Sequence, residues 1–224
     1  MLILHGVPTV EKLRKCRAAA PSHCHGAMWL PERFTAGVNV PYALDNGCFA
    51  ARERPEEWSA DAWLSRVEEI PERANGREPE FVVLPDVVGD ADASELRTRT
   101  FAKRLDARGL GSSTLPRAVA AQDGMTPARV LALAEAVNAA TVFIGGSDRW
   151  KLSHAEELTE AAHDAGLSVH IGRPPAAGFA DALAWAEALG VESVDTTSVT
   201  RGERYNILER FERQTTLGDH ASGA

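Results

Sequence analysis

Short apolar runs, most of them closed by an acid, an amide or a glycine, alternate with amphipathic stretches along almost the whole chain. Runs at residues 2–5, 38–44, 80–85, 113–121, 141–144, 167–171 and 191–194 read as strands. The stretches at 10–20, 55–72, 93–108, 127–139, 154–165, 178–189 and 203–214 have helical spacing. Strand–helix–strand order forces parallel pairing, and residues 80–85 are apolar almost throughout, as a strand covered on both faces must be. About seven or eight such units in 224 residues predict an α/β fold, a closed (β/α)8 TIM-type barrel, full or trimmed. An open doubly wound sheet is the second choice, weakened because no G-x-G-x-x-G follows the first strand. No composition break marks a linker. Residues 1–214 are therefore expected to form one domain, with the small, polar stretch 215–224 as a disordered tail.

Charge and cysteine usage narrow the function classes. A formal net charge of -8 argues against indiscriminate nucleic-acid binding, although it leaves room for a local basic rim. No apolar run approaches the ~18 residues of a membrane span, and the first residues lack a basic region followed by a long apolar one. A cytoplasmic protein with no membrane partner is expected. Cys16, Cys24 and Cys48 make an odd count, which suits a reducing compartment. His23-Cys24-His25 does not make a metal site, because neighbours on a strand point to opposite faces and no second ligand pair follows at metal-site spacing.

In a barrel all strand C-termini meet at one mouth. Asp45, Asp86, Gln122, Gly145-Gly146, His170 to Arg173 and Asp195 would then surround a single cavity. Each has a plainer reading. Asp195 can cap the next helix, Asp45 can form an Asx turn, and the two glycines can make an ordinary turn. Taken together, three carboxylates and one carboxamide are poor equipment for acyl transfer, and Cys48 has no evident base. They call for no metal and no cofactor. Two aspartates suit displacement at a sugar carbon, one attacking the anomeric carbon and the other moving the proton. The remaining Asp and Gln present acceptors and donors that fit the Watson–Crick edge of a guanine-like base.

Five segments carry a family resemblance: Asp45-Asn-Gly-Cys-Phe49, Pro85-Asp86, Gln122-Asp-Gly124, Phe143-Ile-Gly-Gly146 and Val194-Asp-Thr-Thr-Ser-Val-Thr-Arg201. In this order they resemble the tRNA-guanine transglycosylases and their relatives that put 7-deazaguanines into DNA. The resemblance spans about residues 40–201. It implies a barrel enzyme that exchanges guanine in a polynucleotide for a 7-deazaguanine such as preQ0. It also implies Asp45 as general acid/base and Asp195 as nucleophile, with Asp86, Gln122, Gly145, Gly146 and Phe49 forming the base site. Asn46 and Cys48 depart from the family loop, where Ser and Gly are usual, and Ser147-Asp148 replaces a glutamate after the glycines. No cysteine follows Cys48, so the zinc site of the tRNA enzymes is missing, which favours DNA over tRNA as the partner and the zinc-less branch found in phages and mobile elements. Arg149, Lys151, Arg173 and Arg201, with Arg204, follow strand ends and form a candidate phosphate-contacting rim, or plain surface charge. A base inside a duplex must be flipped out, a step that an accessory protein or a second copy of the chain could assist. The rival readings are a glycosidase on free nucleosides or small glycosides and a non-catalytic nucleic-acid-binding module.

Overall fold

The computed structural model describes residues 1–6, 8–34, 39–49, 58–175 and 179–221. Eight strands are β1 (Leu2–Gly6), β2 (Cys24–Trp29), β3 (Tyr42–Leu44), β4 (Val82–Val83), β5 (Arg117–Ala121), β6 (Thr141–Ile144), β7 (Ser168–Ile171) and β8 (Ser193–Thr196). All neighbours pair parallel and β8 closes onto β1, so the chain forms a (β/α)8 barrel. Among the described residues the helices bounded at both ends are α1 (Val10–Ala19), α2 (Ala60–Arg73), α3 (Ala91–Asp106), α4 (Pro127–Ala136), α5 (Asp148–Asp164), α6 (Phe179–Ala188), α7 (Ser198–Gly202) and α8 (Tyr205–Ala221). Between β2 and β3 the described residues hold only the single 3-10 turn Pro31–Arg33. No helix among the described residues is long and apolar enough to cross a membrane.

Strand β2 was not expected from the sequence. Its residues, Cys-His-Gly-Ala-Met-Trp, carry no β-branched side chain and include a glycine that reads as a breaker. Gly26 is needed for closeness: a Cβ there would lie 2.5 Å from the Pro41 carbonyl oxygen and 2.9 Å from a Leu4 methyl. Cys24 is exposed and His25 buried, on opposite faces as alternation requires. The buried ring of His25 bonds to His5 (Nε2 to Nδ1, 3.0 Å) and to the Ala20 carbonyl (2.9 Å), so it is a satisfied core histidine. Burial pushes His5 down to about 3, and both rings stay neutral near pH 7.

Expected boundaries moved for local reasons. Helix α3 starts at Ala91 because Asp90 caps it through the Ala93 N–H (2.9 Å), and α5 starts at Asp148 because Ser147 caps the Trp150 N–H. The 38–44 strand forms over Tyr42–Leu44, and residue 38 lies outside the described residues, as do 55–57 and 178 of two expected helices. The stretch expected to be a disordered tail instead continues helix α8 to Ala221, with 222–224 outside the described residues. The hydroxyl-rich turn after Asp195 is the short helix α7.

Strand alternation divides the apolar residues into two sets. Ile3, Leu44, Val119, Val142, Val169, Ile171 and Val194 pack outward beneath the helices. Leu4, Met28, Ala43, Phe81, Val83, Ala118 and Ala120, with Phe143, fill the barrel. Of the three alanines, Ala120 lines the cavity at the C-terminal end of the strands, where the site lies.

Candidate active site

A cavity of about 860 Å³ opens at the C-terminal ends of the strands, within the size range of small-ligand pockets. Val83, Ala120 and Phe143 are among its apolar lining residues. Asp45, Asp86, Gln122, Gly145, Gly146 and Asp195 also line it, with Phe49, Arg173 and Arg201. Residues spread over 150 positions are thus brought together, and the two outermost acids share one space.

Asp195 lies within β8 and does not cap α7, whose N-cap is Thr197. Its Oδ1 accepts two bonds, from the Arg173 backbone N–H (3.0 Å) and from His170 Nε2 (3.2 Å). His170 is fully buried, bonded through Nδ1 to Ser193 Oγ (2.8 Å), and held between Phe143 (stacked, 4.9 Å) and Phe81 (edge-on, 5.0 Å). Asp45 directly follows β3, with its N–H on the Trp29 carbonyl (2.8 Å) and its Oδ1 accepting the Gly47 N–H (3.2 Å). The Asx turn is therefore real, and it holds the carboxyl at the cavity. Gly47 at φ +77 allows the turn. Burial, then the charge of Asp195, push the Asp45 carboxyl up to about 6, against the Gly47 N–H; Asp86 adds to the rise.

Asp86 is buried at the end of β4 and accepts from Asn46 Nδ2 on one oxygen (3.0 Å) and from Gln122 Nε2 on the other (2.5 Å). Burial raises its pKa, and these two bonds work against the rise. Gln122 Oε1 accepts the Gly89 N–H (3.2 Å), which fixes the amide orientation. Asn46 ties three neighbours together. It donates to Asp86 and to the Leu84 carbonyl (3.0 Å) and accepts from the Cys48 N–H (2.8 Å), which one hydroxyl could not do. From the sequence, His170 belonged to the stretch at the cavity without its bond to Asp195 being foreseen, and Asn46 had no assigned role. The Cys48 thiol is pushed up to about 12 by burial and by Asp86, so it stays protonated and is no nucleophile.

The two glycines serve their neighbours as well as any ligand. A Cβ on Gly145 would lie 3.0 Å from Gln122 Nε2, and one on Gly146 would lie 2.3 Å from Asp123 Oδ1. Asp123 ties the loop by accepting the Ser147 N–H and hydroxyl, both at 2.7 Å.

The expected basic rim is only partly formed. Exposed Arg173 lies over the Phe49 ring at 4.0 Å from its centroid, and Phe49, 44% exposed, stands at the cavity mouth. Arg201 and Arg204 also line the mouth. Lys151 does not serve as a rim cation. Its side chain is buried, and its ammonium donates to the Gly172 (2.9 Å) and Arg173 (2.7 Å) carbonyls and pairs with Asp148 (3.3 Å). Arg149 is exposed and does not line the cavity. Among the described residues no group of three or more His, Cys, Asp or Glu is gathered to hold a metal ion.

Fold and site together define a (β/α)8 barrel with an acid-lined cavity at the C-terminal end of its strands. No protein-family model matches the chain, and a search of curated proteins returned no match. Among solved structures it is similar to that in the Amycolatopsis orientalis BexX/CysO complex. The identity is 17%, 99% of this chain and 91% of the other are covered, and the TM-score is 0.54. It is also similar to the YdjI aldolase from Escherichia coli K12 (12% identity, 95% and 87% covered, TM-score 0.46). A third is 3-hexulose-6-phosphate synthase from Salmonella typhimurium (12% identity, 95% and 97% covered, TM-score 0.44). At such identities the likeness is one of fold alone.

Proposed function

We propose that the chain is an enzyme that exchanges a base at an N-glycosidic bond, replacing guanine in DNA with a 7-deazaguanine through a glycosyl-enzyme intermediate. One observation carries the reading: Asp45 and Asp195 face one cavity, close enough for the charge of one to raise the pKa of the other. In the first step an Asp195 oxygen bonds to the anomeric carbon, the bond from that carbon to the base nitrogen breaks, and the electron pair goes to the base. Asp45 supplies the proton to the leaving base. In the second step Asp45 takes a proton from the incoming base, whose nitrogen displaces the Asp195 oxygen, and the pair in that bond returns to the carboxylate. A carboxyl titrating at about 6 is matched to giving and taking a proton near neutral pH. Asp86 and Gln122 line the cavity, and the lone pairs and amide N–H left over from their bonds to each other and to their neighbours are the groups that would meet the base edge; the resemblance of five ordered motifs supports the guanine-type ligand. Arg173 and Arg201 at the mouth supply phosphate contacts that the net-acidic chain otherwise lacks.

The test is incubation with radiolabelled guanine and DNA, tRNA or free nucleosides. Label entering DNA supports the reading, label entering tRNA moves the substrate, and incorporation only into a small molecule replaces the reading with a nucleoside glycosidase. Asp195→Asn is expected to abolish exchange with an unchanged circular dichroism spectrum. Full activity in that variant would remove Asp195 as nucleophile.

A further inference from the structure

The two oxygens of Asp195 have unequal surroundings. Both hydrogen bonds fall on Oδ1, one from a backbone N–H at the end of β7 and one from a ring fixed on three sides. The His170 ring is clamped between Phe143 and Phe81, and Ser193 Oγ holds its far nitrogen. An ionised carboxylate accepts only, so Nε2 must carry the proton in this contact, whether the ring is neutral or charged. A serine hydroxyl opposite Nδ1 serves both states, since it can donate to a bare nitrogen or accept from a protonated one. The backbone donor is fixed as well. Buried Lys151 holds the Gly172 and Arg173 carbonyls, which sets the direction of the Arg173 N–H.

We infer that His170 and the Arg173 N–H form a donor pair that reserves Asp195 Oδ1 as a fixed acceptor. Oδ2 is thereby the attacking oxygen, and His170 acts as a positioning residue for the second displacement. The inference rests on the base-exchange reading. When the glycosyl bond forms through Oδ2, the carboxylate charge is lost and Oδ1 becomes an ester carbonyl oxygen. When that bond breaks, its electron pair returns to the carboxylate and delocalises onto Oδ1, where both donors wait. The pair therefore favours departure of Asp195 more than its attack, because an anion accepts the stronger hydrogen bonds.

His170→Phe keeps an aromatic ring between Phe81 and Phe143 and removes the donor, whereas His170→Gln restores an N–H at the reach of Nε2. With guanine-containing DNA and excess free base, His170→Phe is expected to turn over about 10- to 100-fold slower, with kcat/KM for DNA little changed and KM for DNA falling alongside kcat. Denaturing gels and mass spectrometry of the quenched reaction should show its protein–DNA adduct accumulating. His170→Gln should recover most of the rate and lose the adduct. A His170→Phe enzyme that resolves its adduct at the wild-type rate, or a His170→Gln variant no better than His170→Phe, would overturn the role. Failure of the base-exchange reading would look different, as wild-type protein giving neither adduct nor exchange. The contact itself is tested without activity by nitrogen-15 spectra of the His170 ring. Protonation at Nε2 in wild type, redistributed toward Nδ1 in Asp195→Ala, is expected; a wild-type ring bearing its proton only on Nδ1 refutes the donor pair.

Discussion

Asp45→Asn should make the protein more stable, by an amount that grows with pH. The Asp45 carboxyl titrates at about 6 in the folded chain against an ordinary 3.8, mainly from burial and then from the Asp195 charge. Below about pH 3.8 the carboxyl is protonated in both states and the folded form carries no penalty. Between there and about 6 the folded form keeps a proton that the unfolded chain has released, so stability falls as pH rises. Above 6 both states are ionised and the whole penalty stands. The full shift corresponds to roughly 3 kcal/mol. Asp45 is only half-buried, at the open mouth of the cavity, so solvent screening reduces the expected gain to about 1–2 kcal/mol. For a chain of this size that is roughly 2–8 °C in Tm. Asparagine keeps the acceptor for the Gly47 N–H, so the variant changes charge with little change in shape. Thermal unfolding of both proteins across pH 4 to 8 checks this. The curves should meet near pH 4, separate through 6 and run parallel above 7. A pH-independent gap, or a variant less stable at pH 8, would refute the reasoning. Asp195→Asn removes the second-largest cause and should move the separation to lower pH.

Three further outcomes follow from the same contacts. Gly172→Ala would set a Cβ 2.4 Å from the Phe143 ring and should cost about 1–3 kcal/mol in denaturant unfolding, with β7 displaced from Asp195. Lys151→Met leaves the Gly172 and Arg173 carbonyls without their donor and should lower stability by about 1–3 kcal/mol in the same measurement, against near zero for exposed Arg149→Ala. Arg201→Ala should weaken DNA binding in fluorescence anisotropy and flatten its salt dependence by about one phosphate contact, while Arg149→Ala leaves the slope unchanged.

The barrel was legible because seven of its strands end in residues that stop an apolar run, and the helices between them keep a 3.6-residue period. Strand β2 escaped because its pairing is decided by contact with Pro41 and Leu4, which no local propensity records. Two helix starts were set late although their signals were present. Asp90 and Ser147 are capping residues standing just before the helical period begins. Lys151 was misjudged for a different reason: a lysine after a strand end reads as surface charge until the carbonyls of the next strand end are known to converge on it.

The site divides the same way. Asp45, Asp86, Gln122 and Asp195 could be found from the sequence because each stands near the C-terminal end of a strand: Asp45 and Gln122 directly after one, Asp86 three residues beyond β4 and Asp195 next to last in β8, and barrel closure gathers such positions. His170, the penultimate residue of β7, was placed at the cavity by the same rule within the stretch His170 to Arg173, but its bond to Asp195 was not foreseen. The missing step was alternation applied to two adjacent strands. In β7, Val169 and Ile171 pack outward and His170 inward; in β8, Val194 packs outward while Ser193 and Asp195 do not. His170 stands opposite Ser193 in the parallel register, so these three polar side chains lie side by side on an otherwise apolar wall. A polar trio on the interior of a barrel is costly unless its members bond to one another, and here they do. That cost is the physical reason to read Ser193, His170 and Asp195 as one unit, and it links the carboxylate proposed to bond to the sugar with the residues that decide which of its oxygens does so.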